Sequence, residues 1–314
     1  MENVNLATTV TVASNYAGKV AGGIIGCAFK EADTLRLGLL TVAENVNYKL
    51  NLRKIAYTSG LTDYTCGFTP AGAVTLSEKV LEIKKIMNPI QVCKEDFRQT
   101  WSEDQMGASA SNPNEPTEIL DAIQTEMLES TAEQVDNDIW NGNGAVDGQF
   151  GGLIAQFDAD GDVIKSGNGI TAGGAPITEA NVEAELKKVL EAVPVAIRRK
   201  NLTVAVSPDV FQAYSFYLVS KGIANNGDAE EKQARFGRYT LTEVNGLADN
   251  TIVVFAKENV VFATGLQADF NEISLVDEDS IGLLTGQIRG KMVYGASVGY
   301  YCSGEIVWYL STSA

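Results

Sequence analysis

The chain has 314 residues, of which 45% are apolar, so it is long enough to bury a substantial core in one large domain or two joined ones. Its 24 basic and 40 acidic residues give a net charge of -16, and it contains no histidine. Such a surface repels nucleic-acid phosphates, although solubility alone would account for the charge. The lack of histidine excludes Ser-His and Cys-His catalysis and removes the commonest zinc ligand.

The cysteines are widely spaced and form no Cys-x-x-Cys pair: Cys27, Cys66, Cys93 and Cys302. Free cysteine usually packs as a small buried apolar residue, so we expect these four to be buried in a protein of a reducing cytoplasm. The start of the sequence lacks a basic segment and a long apolar core, which predicts no signal peptide. No apolar run reaches about 18 residues, which predicts no membrane span.

The first segment, residues 1–36, shows little periodicity and is predicted to be an extended arm. Residues 37–92 then alternate apolar and polar side chains as strands do, with a break rich in Thr, Gly and Asp at residues 58–63. The alternation resumes over residues 74–90, so the segment is predicted to be a long two-stranded hairpin. Because an isolated hairpin is only marginally stable in water, we expect it to lie either on its own domain or on a neighbouring molecule.

Residues 117–140 have the periodicity of one long amphipathic helix. Its apolar side chains follow two adjoining lines: Ile119, Ile123 and Met127, then Leu128, Ala132, Val135 and Ile139. Thr117 is placed as the N-cap and Asn141-Gly142 as the end of the helix. A glycine-rich loop and the compact turn Phe150–Ile154 follow. We expect five residues at this junction to be structural: Trp140, Gly142, Phe150, Gly151 and Gly152.

A second unit, residues 177–270, alternates helices and strands. A helix over 178–193 precedes a strand at 202–206, and Ser207-Pro208 begins a second helix. A polar loop and two more strands complete the pattern of an α/β unit. The last segment, residues 271–314, is rich in strand-forming residues.

The end of the long helix, the glycine-rich loop and the pattern Phe-x-Gly-Leu-Ile at Phe150–Ile154 resemble the major capsid proteins of tailed bacteriophages. The order of parts along nearly the whole chain is similar to that family as well. The resemblance implies an α+β protein with the tailed-phage major capsid fold. Its expected parts are an N-terminal arm (1–36), an extended β-hairpin loop or E-loop (37–92), a peripheral domain (93–176) with a spine helix (117–140), an axial α/β domain (177–270), and returning strands of the peripheral domain (271–314).

The resemblance also implies where one subunit meets another. We expect assembly contacts at the E-loop tip, in an axial loop and at a basic cluster: Tyr57, Asp63, Tyr64 and Phe68; Asn225, Asn226 and Asp228; Arg198 and Arg199. The basic cluster has an alternative interpretation, because cations also stabilise the C-terminus of a helix.

No cofactor-binding, metal-binding or catalytic pattern stands out in the sequence. Asp158, Asp160 and Asp162 look like the start of a calcium loop, but the glycine falls at the fourth position instead of the sixth. A surface turn is therefore favoured, and weak calcium binding between subunits is the alternative.

The resemblance predicts a structural protein and no enzyme: a major capsid protein that assembles in the host cytoplasm into pentamers and hexamers of an icosahedral virion shell. The shell would enclose double-stranded DNA without tight binding and without a membrane. Expected partners are a portal, decoration proteins and a separate scaffolding protein, unless the arm does that work alone. One alternative is an encapsulin-type nanocompartment shell, which shares the fold. An α/β enzyme is the alternative from another class, which the missing histidine disfavours.

Overall fold

The computed structural model describes residues 15–17, 32–58, 60–64, 66–67, 71–93, 117–171, 173–222, 233–265, 272–278 and 287–311. The first strands along the chain are β1 (Asn15–Ala17), β2 (Thr41–Ala43), β3 (Lys49–Thr58), β4 (Ala73–Glu82), β5 (Lys84–Cys93), β6 (Ile164–Ser166), β7 (Gly169–Ile170) and β8 (Leu202–Val206). The later strands are β9 (Gln233–Phe236), β10 (Tyr239–Glu243), β11 (Thr251–Ala256), β12 (Val260–Thr264), β13 (Glu272–Asp277), β14 (Gln287–Tyr300) and β15 (Val307–Leu310). The α-helices are α1 (Asp33–Arg36), α2 (Thr117–Asn141), α3 (Leu153–Ala159), α4 (Val182–Ala192) and α5 (Pro208–Ser220).

The strands form two large sheets and one separate hairpin. The first sheet has the order β1-β13-β14-β12-β2, and β5 also pairs with the long strand β14. The second sheet has the order β7-β6-β15-β11-β8-β10-β9, and β3 pairs only with β4. Helices and strands are thus mixed in one chain, and the expected α+β class is confirmed.

The spine helix, α2, packs its apolar side into a core that contains side chains of both sheets. Met127, Val135 and Ile139 are buried in this core with side chains of β11, β12 and β14, and Ala132 of the same helix is buried as well. Helices α4 and α5 pack on the second sheet around a separate core cluster. These two cores explain the apolar periodicity of the helices, because an amphipathic helix buries its apolar stripe in a core.

Three expectations about individual elements are corrected. The returning half of the hairpin is interrupted at Ile83, so only β4 pairs with β3, while β5 joins the first sheet along β14. Strand β12, expected in the axial unit, belongs to the first sheet, and β15, expected among the peripheral strands, belongs to the second. The spine helix spans Thr117–Asn141, close to the expected 117–140.

The expected burial of the cysteines is wrong for Cys66 and Cys93, which are both exposed. Cys66 lies in the segment that joins β3 to β4, and Cys93 is the last residue of β5. Cys302 is half-buried and Cys27 lies outside the described residues. In the described part of the chain, no helix is both long enough and apolar enough to cross a membrane.

Candidate assembly surface

The hairpin formed by β3 and β4 presents two faces of different character. One face, called the outer face here, carries the cross-strand pairs Lys49–Glu82, Asn51–Val80, Arg53–Glu78, Ile55–Leu76 and Tyr57–Val74. The opposite face, called the anchor face, carries Leu50–Leu81, Leu52–Lys79, Lys54–Ser77, Ala56–Thr75 and Thr58–Ala73. Because successive side chains of a strand point to opposite faces, the pairing register alone fixes this division.

The far half of the outer face is apolar and open to solvent. Ile55 and Leu76 are each 70% exposed, Tyr57 is 68% exposed and Val74 is 64% exposed. These four side chains form two adjacent cross-strand pairs, so they make one continuous patch, which we call the apolar patch. A contiguous exposed apolar patch on a soluble protein usually marks an interaction site.

Two ion pairs occupy the near half of the outer face. Lys49 pairs with Glu82, and Arg53 Nε lies 3.0 Å from Glu78 Oε1. All four side chains are substantially exposed, so the pairs contribute little stability but favour this strand register. The outer face is therefore charged where it leaves the domain and apolar further out.

The anchor face attaches the hairpin to its own domain through a short contact. Leu52 and Leu81 are buried, and a Cβ placed on Gly299 would lie 3.2 Å from Leu81 Cδ1. Lys79 Nζ lies 3.4 Å from the centre of the Tyr300 ring. A side chain at position 299 would therefore require the Leu81 methyl group to move by a few tenths of an ångström.

The Tyr300 side chain also contacts the turn that follows α3. Its hydroxyl donates a hydrogen bond to Asp160 Oδ2 at 2.9 Å, and Asp160 Oδ1 accepts one from the Asp162 N–H at 2.9 Å. Burial lowers the pKa of Lys79, and the nearby charge of Asp160 opposes that shift. Burial also raises the pKa of the Tyr300 hydroxyl, and the hydrogen bond to Asp160 raises that pKa further by a smaller amount. Sequence reasoning did not select Lys79, Gly299 or Tyr300, since no local pattern connects residues so far apart.

The expected contact residues are distributed as follows. Tyr57 belongs to the apolar patch, while Asp63 and Tyr64 are exposed in the connection between β3 and β4, with Tyr64 92% exposed. Phe68 and the axial-loop residues Asn225, Asn226 and Asp228 lie outside the described residues.

The basic cluster after α4 is used partly inside the subunit. Arg198 donates from Nε to the Val193 carbonyl at 2.9 Å and from Nη2 to the Glu191 carbonyl at 2.7 Å. These carbonyls lie at the C-terminal end of α4, which matches the alternative interpretation of a cation at a helix end. Arg199 is exposed.

The end of the spine helix is closed by tight backbone contacts. The Gly142 N–H donates to the Asp138 carbonyl at 3.1 Å, and the Gly152 N–H donates to the Gly142 carbonyl at 2.7 Å. A Cβ on Gly142 would lie 2.3 Å from the Phe150 carbonyl oxygen, and one on Gly152 would lie 2.6 Å from that of Trp140. The glycines at 142 and 152 are therefore required by close approach, whereas a Cβ on Gly151 would meet no atom within 4 Å.

Two carboxylates of the spine helix, those of Asp136 and Asp138, are buried. Asp136 accepts the Thr34 N–H at 2.9 Å, and burial raises its pKa. Asp138 accepts the Gln134 side-chain N–H at 2.7 Å, while its second oxygen, Oδ2, has no hydrogen-bond donor within the described residues. Burial raises the pKa of Asp138 to about 6, against the lowering effects of Gln134 and Lys84.

Two aspartates of the acidic turn suggested as a calcium loop already have partners within the subunit. Both Asp160 oxygens accept protein hydrogen bonds, and the Asp158 carboxylate lies 3.5 Å from Lys165 Nζ. Across the part of the chain that the structure describes, no group of three acidic, cysteine or histidine side chains is placed to hold a metal ion.

No protein-family model matches this chain, and no curated protein matches it. Solved structures do match over almost the full length. A structure titled "Mycobacterium phage Che8" is 13% identical with a TM-score of 0.53, covering 95% of this chain and 93% of the other. A satellite phage P4 procapsid structure is 8% identical with a TM-score of 0.57, covering 94% and 100%. A virus-like particle from Pyrococcus furiosus is 11% identical with a TM-score of 0.51, covering 93% and 98%. The chain therefore has the fold of these capsid and particle subunits, as the sequence predicted.

Proposed function

We propose that this chain is a major capsid protein of a tailed phage, whose copies form the pentamers and hexamers of an icosahedral shell around double-stranded DNA. The observation that carries the proposal is the apolar patch, which lies on a hairpin that extends away from its own core. Within a fold shared with phage capsid subunits, such a surface is explained by a second copy of the same chain. The protein then acts structurally, with no catalytic step.

The pattern of burial along the hairpin supports this proposal. The anchor face is buried only near its base, at Leu52 and Leu81, whereas the far half of both strands is exposed. A two-stranded hairpin with solvent on both sides is marginally stable, so docking on a neighbour would stabilise it. Burying the apolar patch would contribute about 25 cal/mol for each Å² removed from water, repeated at every copy of the interface.

A paired substitution tests the patch. Ile55→Ser with Leu76→Ser should leave the subunit folded, because both side chains are exposed, but should abolish particles that sediment in the megadalton range. The matched control is Ala56→Ser with Thr75→Ser, which changes the adjacent cross-strand pair on the anchor face and should assemble normally. Equal assembly of both variants, measured by sedimentation velocity and electron microscopy, would exclude the apolar patch as the docking surface.

A nanocompartment shell is the second candidate, because the fold alone does not distinguish it from a phage capsid, and the structures that match this chain include a virus-like particle as well as phage structures. The contents of particles isolated from the natural source distinguish the two. Double-stranded DNA inside the particle supports the capsid, and an enclosed protein cargo without DNA supports the nanocompartment. A portal, a scaffolding protein and decoration proteins remain predictions for the capsid alone.

A further inference from the structure

Among the described residues, the hairpin contacts its own domain at its base, and its far half is exposed. Every side chain from 53 to 58 and from 71 to 78 is exposed, so the internal contacts end at Leu52 and Lys79. The six residues of β3 beyond this point span about 20 Å, and a rotation of about 10° at the base therefore moves the far end by about 3–4 Å. A small rotation at the base therefore moves the far end by more than a closely packed interface tolerates.

Two of the contacts between that base and the domain involve residues of β14. The buried leucines of the anchor face pack against Gly299. A Cβ placed on Gly299 would lie 3.2 Å from Leu81 Cδ1 and 3.7 Å from Leu52 Cδ1. Next to it, the Lys79 ammonium lies over the Tyr300 ring, whose position is held in turn by the hydrogen bond to Asp160. Apolar contact is non-directional, so the leucines alone do not fix the hairpin angle. A cation over an aromatic ring, in contrast, has a preferred position.

We propose that Gly299, Lys79 and Tyr300 are positioning residues that set the angle at which the hairpin leaves its subunit, and through that angle the curvature of the assembled shell. The inference rests on the proposed function, since curvature has meaning only if the hairpin docks on a second copy. We call these three residues the clamp. Clamp residues lie on the anchor face and beneath it, so they do not contribute to the apolar patch itself.

The angle can be measured without relying on assembly. Ala73→Cys places a spin label near the far end of β4, and the native Cys93 carries the second label, with Cys27, Cys66 and Cys302 changed to serine. Labelled chains are diluted with unlabelled chains, so that only pairs within one chain contribute to the distance distribution. The same labelled background then receives Lys79→Met, Lys79→Arg, Tyr300→Phe or Gly299→Ala, and Lys54→Met serves as a matched control on the same face.

The clamp predicts a different result for each variant. Lys79→Met should add a second distance, because loss of the cation shifts the ratio of clamped to released hairpins by about ten-fold. Lys79→Arg should restore the single distance, and Lys54→Met should not alter it. Gly299→Ala should displace the mean distance without broadening it, since the added methyl group pushes the leucines outward. Tyr300→Phe keeps the aromatic ring but removes its hydrogen bond to Asp160. This variant replaces Lys79→Met as the test if Lys79→Met fails to fold.

Particle diameters in electron micrographs connect the angle to the shell. Lys79→Met should give a wider range of particle diameters than the unmodified chain, and Lys79→Arg should restore the original range, while the melting temperature of the subunits falls by no more than about 2 °C. An unaltered distance distribution in both Lys79→Met and Tyr300→Phe would overturn the clamp. Altered distances with unaltered diameters would overturn its role in curvature. Failure of the unmodified chain to form particles under any condition would count against the proposed function, and the distances would still decide on the clamp.

Discussion

Trp140 connects the spine helix to the segment that contains α1. Its side chain is 0% exposed, and its Nε1–H donates to Thr34 Oγ1 at 2.9 Å. The ring also packs against Phe255, with 6.1 Å between centroids. We expect Trp140→Ala to reduce the free energy of unfolding by about 3–5 kcal/mol, because it removes a buried ring and leaves a cavity. Chemical denaturation of unassembled chains measures the loss.

An exposed aromatic residue provides the control for Trp140. Tyr64→Ala should leave the unfolding free energy unchanged, since this side chain is 92% exposed. If Trp140→Ala unfolded like the unmodified chain but no longer assembled, Trp140 would act at a subunit contact instead of in the core.

Asp138 should make the stability of the subunit depend on pH. Burial raises its pKa from 3.8 to about 6 in the folded chain, so the folded state binds a proton that the unfolded state has already released. Stability contributed by the neutral form is present near pH 4 and is lost as the pH rises through 6. Above that pH the buried charge costs on the order of 3 kcal/mol, at ~1.4 kcal/mol for each pKa unit.

Substitution isolates this effect. Asp138→Asn should be more stable than the unmodified chain at pH 7, and the difference should shrink towards zero near pH 4. Lys84 and Tyr294 face the same carboxylate, so Lys84→Met should enlarge the pH dependence by removing a favourable charge. Melting curves from pH 4 to 8 decide the matter, and parallel curves for both proteins would contradict the assignment.

Residue roles could be predicted only where the signal was local. The glycines after the spine helix follow from a helix end and a tight turn, and the structure shows the close contacts that require glycine at 142 and 152. The partners Thr34 and Trp140 are 106 positions apart, and no periodicity relates them. The clamp was missed for the same reason, because a lysine and a tyrosine in two strands become neighbours only after the sheets assemble.

At the scale of elements, periodicity located the long helix and the hairpin well but did not show where strands change partners. The spine helix was predicted at 117–140 and is observed at Thr117–Asn141. The apolar alternation continues from β4 into β5 without a break, although Ile83 separates a free hairpin from a strand of the first sheet. Alternation records which side chains share a face, and it contains no information on which strand pairs with which.

The connection between β3 and β4 can be tested as an element. Replacing residues 59–72 with Asn-Gly should keep the strand register, because this dipeptide favours the tight turn of a two-residue hairpin. We expect folded subunits with a normal melting temperature but a poor yield of particles, since the tip contacts implied by Tyr64 and Asp63 are lost. Wild-type yield and particle stability, measured by sedimentation, would show that the tip is dispensable and that the strands alone carry the contact.

For the molecule as a whole, the net charge of -16 conceals an uneven distribution. Residues 49–93 contain six basic and three acidic residues, whereas the spine helix contains seven acidic residues and none that are basic. Several of the basic groups are already engaged inside the subunit. Lys84, for example, donates to the carbonyls of Gly144 and Val146 at 2.9 Å. Residues 49–93, with six basic and three acidic residues, thus carry a net charge of +3 within a strongly acidic chain.

This distribution predicts weak binding of duplex DNA. Phosphate contacts from lysine and arginine supply nearly all non-specific affinity, and the 24 basic residues of this chain are outnumbered by 40 acidic ones. We expect a dissociation constant above about 100 μM at physiological salt, the weak end of non-specific binding. Anisotropy titrations on free subunits and on assembled empty shells measure it, and lowering the salt should strengthen whatever binding exists. A dissociation constant of about 1 μM or tighter for shells, but not for subunits, would contradict the prediction and would indicate that assembly gathers basic side chains on the inner surface.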